Sequence, residues 1–248
     1  MRAWKERCSS APGNKVNQTT PSTSSLNYAQ AEYERSRQPG YAYIPGDLAL
    51  GAQRVLEIGC LGAHGLISLR EQHDRRAWWL GVELSSQWCD EARKLIARHG
   101  QAHPNGHLLV VQADGTQLPC RAAQFDLIIC KLVLPYADNR GLLAEMARAL
   151  SPSGKAILQI HVPRYYILLV LDGVRNLSKW SVYGIRCLLN YWIFCLIGRQ
   201  VRFQKVTDMP ITRARLMTLL QEVGLSLVAV QPHKTLPTFV LAKSDHGE

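Results

Sequence analysis

No Cys-x-x-Cys pair occurs in the 248 residues, and the seven cysteines (8, 60, 89, 120, 130, 187 and 195) are odd in number and scattered. That argues against a disulfide framework or a zinc knuckle and for a reducing compartment, with the cytoplasm as the default. Metal-ligand spacing is missing among the histidines: His103 and His107 flank Pro104 and Gly106, which forbids a helical pair. Met1 to Ser10 contain no apolar run of the kind that marks a secretory signal. Residues 9–25 are nearly all Ser, Thr, Pro, Asn, Gln and Gly, with almost nothing to bury, and read as a disordered tail. The apolar run Val182–Ile197 holds Arg186 and falls short of the roughly 20 residues needed to span a bilayer, so a transmembrane helix is not expected.

What remains is enough for one α/β domain with extensions, since 47% of the residues are apolar. The net charge of +10 is local. Residues 163–206 hold seven basic side chains against a single acid, Asp172, and so carry +6 of it. The charge thus describes that segment and little else.

Arg54 to Ile58 is short, β-branched and bounded by Gly51 and Gly59, which predicts a buried strand. Gly59, Gly62 and Gly65 then punctuate a turn that runs into an apolar helical pattern over 64–72. A strand, a glycine turn and a helix N-terminus together make a place for a nucleotide-like ligand, because the backbone can come close and free N–H groups point outward.

Before this strand, Tyr28, Tyr33, Tyr41 and Tyr43 mark an ordered lead-in, with a helix near 27–37 and a turn at Pro39-Gly40. Its tyrosines either pack on the domain edge, the usual role of such residues, or cover a ligand. After the first helix come a strand at 77–83, a helix at 86–99, and strands at 107–113 and 125–130. A helix at 139–150 stops at Ser-Pro-Ser-Gly and leads to a fifth strand at 156–162. A last helix at 212–222 precedes two strands, 225–230 and 238–242, around a turn with Pro232 and Pro237. Strands alternating with helices predict a Rossmann-like three-layer α/β sandwich on a mostly parallel seven-stranded sheet, with a C-terminal antiparallel hairpin strand. Ligands of such sheets sit at the carboxyl ends of the strands, where Glu57, Glu83 and Asp114 fall. Glu83 ends the second strand, the position from which a carboxylate accepts hydrogen bonds from both hydroxyls of a ribose.

In combination these pieces resemble a class I S-adenosylmethionine-dependent methyltransferase of the broad small-molecule group. The resemblance rests on Val-Leu-Glu-Ile-Gly-Cys at 55–60, Gly-Val-Glu-Leu-Ser at 81–85 and Gln-Ala-Asp-Gly-Thr-Gln-Leu-Pro at 112–119. It continues in Gln-Phe-Asp-Leu-Ile-Ile at 124–129 and in the helix and Ser-Pro-Ser-Gly stop at 142–154. It implies a single methyltransferase domain over 26–248, with S-adenosyl-L-methionine as cofactor. Glu57, Gly59, Cys60 and Gly62 would lie along the methionine part, Glu83 and Leu84 at the ribose, Asp114 and Gly115 at the adenine, and Cys130 and Lys131 at the amino-acid end. The family places glycines at alternate positions after the first strand, where this chain has Leu61 and Ala63. Gly62 and Gly65 are then expected to supply the flexibility through a locally shifted loop.

For the transfer itself His161, at the end of the fifth strand, is the candidate general base and Tyr136 the candidate positioner. His64 in the glycine turn is expected at the surface at the helix start, with contact to the cofactor as the alternative. No Asp/Asn-Pro-Pro-aromatic segment follows the fourth strand, which disfavours base amino groups, and no paired-glutamate loop suggests an arginine substrate. Residues 163–206, apolar and basic together, form a helical insertion where substrate-covering segments of the family belong. They suit a lid over an apolar, lipid-like acceptor, an element lying on a membrane surface, or an ordinary buried layer or dimer interface. Nucleic acid is disfavoured, because the basic residues are mixed with bulky aliphatics. Methylation at oxygen of a small hydrophobic molecule is the expected activity. A nicotinamide oxidoreductase and a non-catalytic membrane-associated protein of the same fold are the alternatives.

Overall fold

The computed structural model describes residues 23–38, 44, 48–49, 51–73, 76–99, 107–176, 180–197, 211–232 and 236–244. Most of the predicted tail, the Pro39-Gly40 turn, Tyr41, Tyr43, His103, Lys179 and residues 198–206 of the insertion lie outside them.

Seven strands form one sheet: β1 (Arg54–Ile58), β2 (Trp78–Glu83), β3 (His107–Gln112), β4 (Phe125–Lys131), β5 (Leu150–Gln159), β6 (Leu225–Gln231) and β7 (Thr238–Lys243). Their order is β3-β2-β1-β4-β5-β7-β6. The pairs from β3 to β5 are parallel, whereas β7 runs antiparallel to both β5 and β6. The helices are α1 (Thr23–Ser36), α2 (His64–Gln72), α3 (Ser86–His99), α4 (Asn139–Ala149), α5 (Pro163–Arg175), α6 (Trp180–Ile197) and α7 (Arg213–Glu222), with a short 3₁₀ turn at Leu134–Tyr136.

Alternation along the strands sorts the core into two faces. Leu56, Ile58 and Ile128 point to the side covered by α4 and α7, where they meet Leu142, Met146 and Leu216. Val55, Leu127 and Ile129 point the other way, onto Leu66 and Leu69 of α2. On that second side α1 lays Ala29 and Tyr33 against Ile67 of α2 and Trp88 and Leu95 of α3. The result is the predicted three-layer sandwich. Capping fixes two helix starts: Asp138 accepts from Gly141 N at 2.8 Å for α4, and Thr212 Oγ1 accepts from Arg215 N at 3.0 Å for α7.

Three boundaries depart from expectation. β5 begins at Leu150, ahead of the Ser-Pro-Ser-Gly stretch read as a pure stop, and takes that stretch into the strand, because the ladder with β4 jumps from Phe125–Leu150 to Leu127–Lys155 across a bulge. It also ends at Gln159, before His161, because Pro163 at the first turn of α5 commits the chain to a helix. At the other end of the chain α1 starts at Thr23, inside the stretch read as tail.

Candidate functional site

The sheet order brings β2, β1 and β4 side by side, and hydrogen bonds tie the carboxyl ends of neighbouring strands from β3 to β5. Gly59 N donates to Val82 O at 2.7 Å, Ala113 N to Glu83 O at 3.0 Å, and Leu132 N to Gln159 O at 2.8 Å. Gly59, Glu83, Asp114, Lys131 and the start of α5 thus share one edge.

The loop after β1 carries its turn in an unexpected way. Left-handed backbone occurs at Gly59 (φ 71°), Leu61 (φ 48°) and Ala63 (φ 57°). The loop is therefore not shifted onto Gly62 and Gly65. It keeps the alternating conformation, with two side-chain-bearing residues in a region that costs each about 1–2 kcal/mol. Gly59 must be glycine for a second reason, since a Cβ there would run into Val133 Cγ2 after β4. Gly62 serves packing: a Cβ would fall 2.5 Å from Ala29 Cβ of α1.

Glu83 is buried at the end of β2, with 7% of its surface exposed. Its Oε2 accepts from Leu61 N at 2.9 Å and its Oε1 from Ser85 N at 3.0 Å, so one carboxylate ties the first loop to the second. Leu84, next to it, is exposed. Asp114 is exposed, and its Oδ1 accepts from both Thr116 N and Thr116 Oγ1 at 2.8 Å, which sets the turn after β3. Gly115 lies against Ile58 and Leu142, where a Cβ would come within 2.8 Å of Ile58 Cγ2.

Beneath the loop, Glu57 is buried on β1, and Cys60 and Cys130 are buried at the ends of β1 and β4. Burial, with the Glu57 carboxylate adding to it, pushes the Cys130 thiol up to about 12. The same causes, joined by Glu83, hold the Cys60 thiol well above its usual range. Both are neutral thiols at physiological pH, so neither is a nucleophile. Lys131 and Tyr136 are half-buried, the first at the end of β4 and the second in the 3₁₀ turn that follows. His161 sits in the turn between β5 and α5 with 3% exposure. Its ring stacks on Tyr165 at 3.9 Å and meets Tyr166 edge-on at 6.0 Å.

His64 corrects an expectation. It is 5% exposed rather than at the surface, because Tyr28 of α1 packs edge-on against it at 6.4 Å and against Trp88 at 5.8 Å. Trp88 and Val133 are the side chains of this region that sequence reading missed, while Tyr28 was read there only as a lead-in residue that packs on the edge or covers a ligand. Tyr33 belongs to packing: it is 2% exposed, donates its hydroxyl to Glu71 Oε1 at 2.8 Å and stacks on His99 at 4.3 Å.

Residues 56–158 match the family model of the methyltransferase domain. No curated protein matches the chain by sequence. A SAM-dependent methyltransferase from Methanosarcina mazei superposes with a TM-score of 0.55 at 16% identity, covering 77% of this chain and 92% of its own. Another from Clostridium acetobutylicum gives 0.53 at 13% identity, over 77% and 84%. A Methanococcus maripaludis protein gives 0.58 at 17% identity over 94% of this chain and 99% of its own. At such identities the likeness is one of fold. Residues 56–158 thus match a methyltransferase domain, and the sheet around them has the fold of S-adenosylmethionine-dependent methyltransferases. The reversed strand β7 between β5 and β6 sets this sheet apart from the 3-2-1-4-5-6 order of nicotinamide-binding folds.

Proposed function

We propose that the chain transfers the methyl group to the oxygen of a small hydrophobic or lipid-like acceptor, bound between the carboxyl edge of β4 and β5 and the root of α5. The observation that carries this reading is the aromatic cluster at that root, where His161 lies stacked on Tyr165 beside buried Tyr166. An apolar acceptor matches such walls, and one imidazole gives it a place to leave a proton.

The residues at the edge fit the cofactor. Glu83 is a buried carboxylate with its two oxygens aimed at two loops, and a carboxylate has room for about four hydrogen bonds, enough for loop amides and a ribose diol together. Asp114 and Gly115 stand where the adenine amino group would be read, with Leu84 against the adenosine. Glu57, the backbone of Gly59, Cys60 and Gly62, and the segment at Cys130 and Lys131 would surround the methionine end. The cofactor supplies a methyl group already activated on a sulfonium. This chain's part is to align the acceptor, exclude water and take a proton. His161 would accept the hydroxyl proton as the oxygen–methyl bond forms, and Tyr136 would orient the hydroxyl.

A radiolabelled methyl-transfer assay over amphiphilic phenols, hydroxy acids and the matching amines tests the reading. Transfer to hydroxyl-bearing amphiphiles is expected, with His161→Gln slowed about 100-fold or more at unchanged cofactor affinity. Transfer confined to amines or to polar acceptors would overturn it.

A further inference from the structure

Ten of the fourteen large hydrophobic residues that are exposed among the described residues lie on α5 and α6. They are not scattered. On α5, Ile167, Leu168, Leu171 and Val174 recur at helical spacing along the outward side, between exposed Arg164 and Arg175. On α6, Val182, Ile185, Leu189 and Trp192 do the same around exposed Arg186. The inward sides are packed: Tyr166 and Cys187 are fully buried together. Gly184 lets the helices touch, since a Cβ there would fall 2.7 Å from Val170 Cγ2. The hairpin is thus a closed pair whose unmatched side is apolar and exposed.

We propose that this hairpin docks the protein on an anionic lipid bilayer, lying in the plane of the interface. Charge selects that occupant. Every exposed charged side chain on the two helices, among the described residues, is an arginine, and the one acid, Asp172, is half-buried and accepts from Asn176 Nδ2 at 3.1 Å. Residues 163–206 as a whole carry seven basic groups against that acid. Aliphatics flanked by arginines suit acyl chains beneath anionic head groups, with the arginine stems reaching up to them. Trp192, 61% exposed, belongs to the residue type favoured at that boundary. No helix among the described residues is long and apolar enough to cross a membrane, so the hairpin lies on the surface. The inference does not depend on the acceptor proposed above.

Co-sedimentation of the full-length protein with vesicles of phosphatidylcholine alone, or mixed with phosphatidylglycerol, tests it. Strong partition onto the mixed vesicles and weak partition onto phosphatidylcholine are expected. Replacing Arg164, Arg175 and Arg186 by Gln should lower the partition on the order of a hundredfold. Leu171→Asp with Leu189→Asp should lower it on both vesicle types. Cofactor binding measured by calorimetry is expected to persist in all variants, which separates loss of docking from loss of fold. Wild-type protein left in the supernatant with the mixed vesicles, or partition unchanged in the variants, would overturn the proposal. So would a wild-type dimer in solution that Leu189→Asp turns into monomers, because a second copy would then cover the hairpin.

Discussion

Leu61 and Glu83 are joined across the first two strands: the Leu61 amide, at the tip of a strained turn, donates to Glu83 Oε2 at 2.9 Å. The carboxylate proposed to hold the ribose is therefore also the brace of the loop after β1. Glu83→Ala removes both functions and is expected to lower S-adenosylmethionine affinity at least tenfold in titration calorimetry. Glu83→Gln keeps one acceptor oxygen and should fall between. Equal affinity in all three proteins would remove Glu83 from the site.

Gly62→Ala tests the seat of α1. The added methyl falls 2.5 Å from Ala29 Cβ, a group with no flexible end to swing aside. We expect α1 to lift from the loop, seen as faster hydrogen exchange in residues 28–36, while the strands keep their protection. Unchanged exchange in α1 would show that the helix tolerates the methyl.

The two non-glycine residues of the turn should respond differently to glycine. At Ala63, relief of about 1 kcal/mol of backbone strain roughly offsets the loss of one buried methyl, worth about 0.8 kcal/mol, so denaturation midpoints should barely move. At Leu61 the side chain packs with Ala29, Tyr33 and Trp88, and Leu61→Gly should destabilise by about 1–3 kcal/mol despite the same relief.

Glu145 and Arg148 clamp the turn after β3 onto α4. Arg148 Nε and Nη2 donate to the two Glu145 oxygens at 2.7 and 2.8 Å, and Leu118 N donates to Glu145 Oε2 at 2.7 Å. The bond from Arg148, reinforced by Leu118 N, holds the Glu145 carboxyl below its usual range. A lowered folded-state value stabilises the protein above the unfolded value near 4.3, and the gain is lost as pH falls through the folded one. Glu145→Gln should therefore cost about 1 kcal/mol at neutral pH, a figure reduced for the exposure of Arg148. Denaturant titrations of the two proteins should converge as the pH falls below the unfolded value.

Strands β1, β2 and β3 were legible because each is a short apolar run closed by glycine or a polar turn, and the ends of β2 and β3 place Glu83 and Asp114 without further information. Ser151 to Gly154 hid the start of β5, since a bulge can carry turn-forming residues inside a ladder. The loop after β1 misled for a related reason. Gly62 and Gly65 look like the flexible points, yet the left-handed positions fall on Leu61 and Ala63, where tertiary packing and the Glu83 brace override local preference. The burial of His64 depends on Tyr28, 36 positions away, which no local pattern reports. Composition showed that α5 and α6 are apolar and basic, but only the packing of Tyr166 and Cys187 shows which sides turn outward.

The last strand in chain order, β7, occupies an interior place between β5 and β6. During synthesis β6 emerges with no neighbour to pair with, and β5 waits with an open edge until Thr238–Lys243 arrives. The sheet therefore closes late, through contacts far apart in sequence, and the half-made protein exposes two unfinished edges to other chains. A chain cut before Thr238 would leave β6 without a partner and β5 with an open edge, two strands undone by the loss of one.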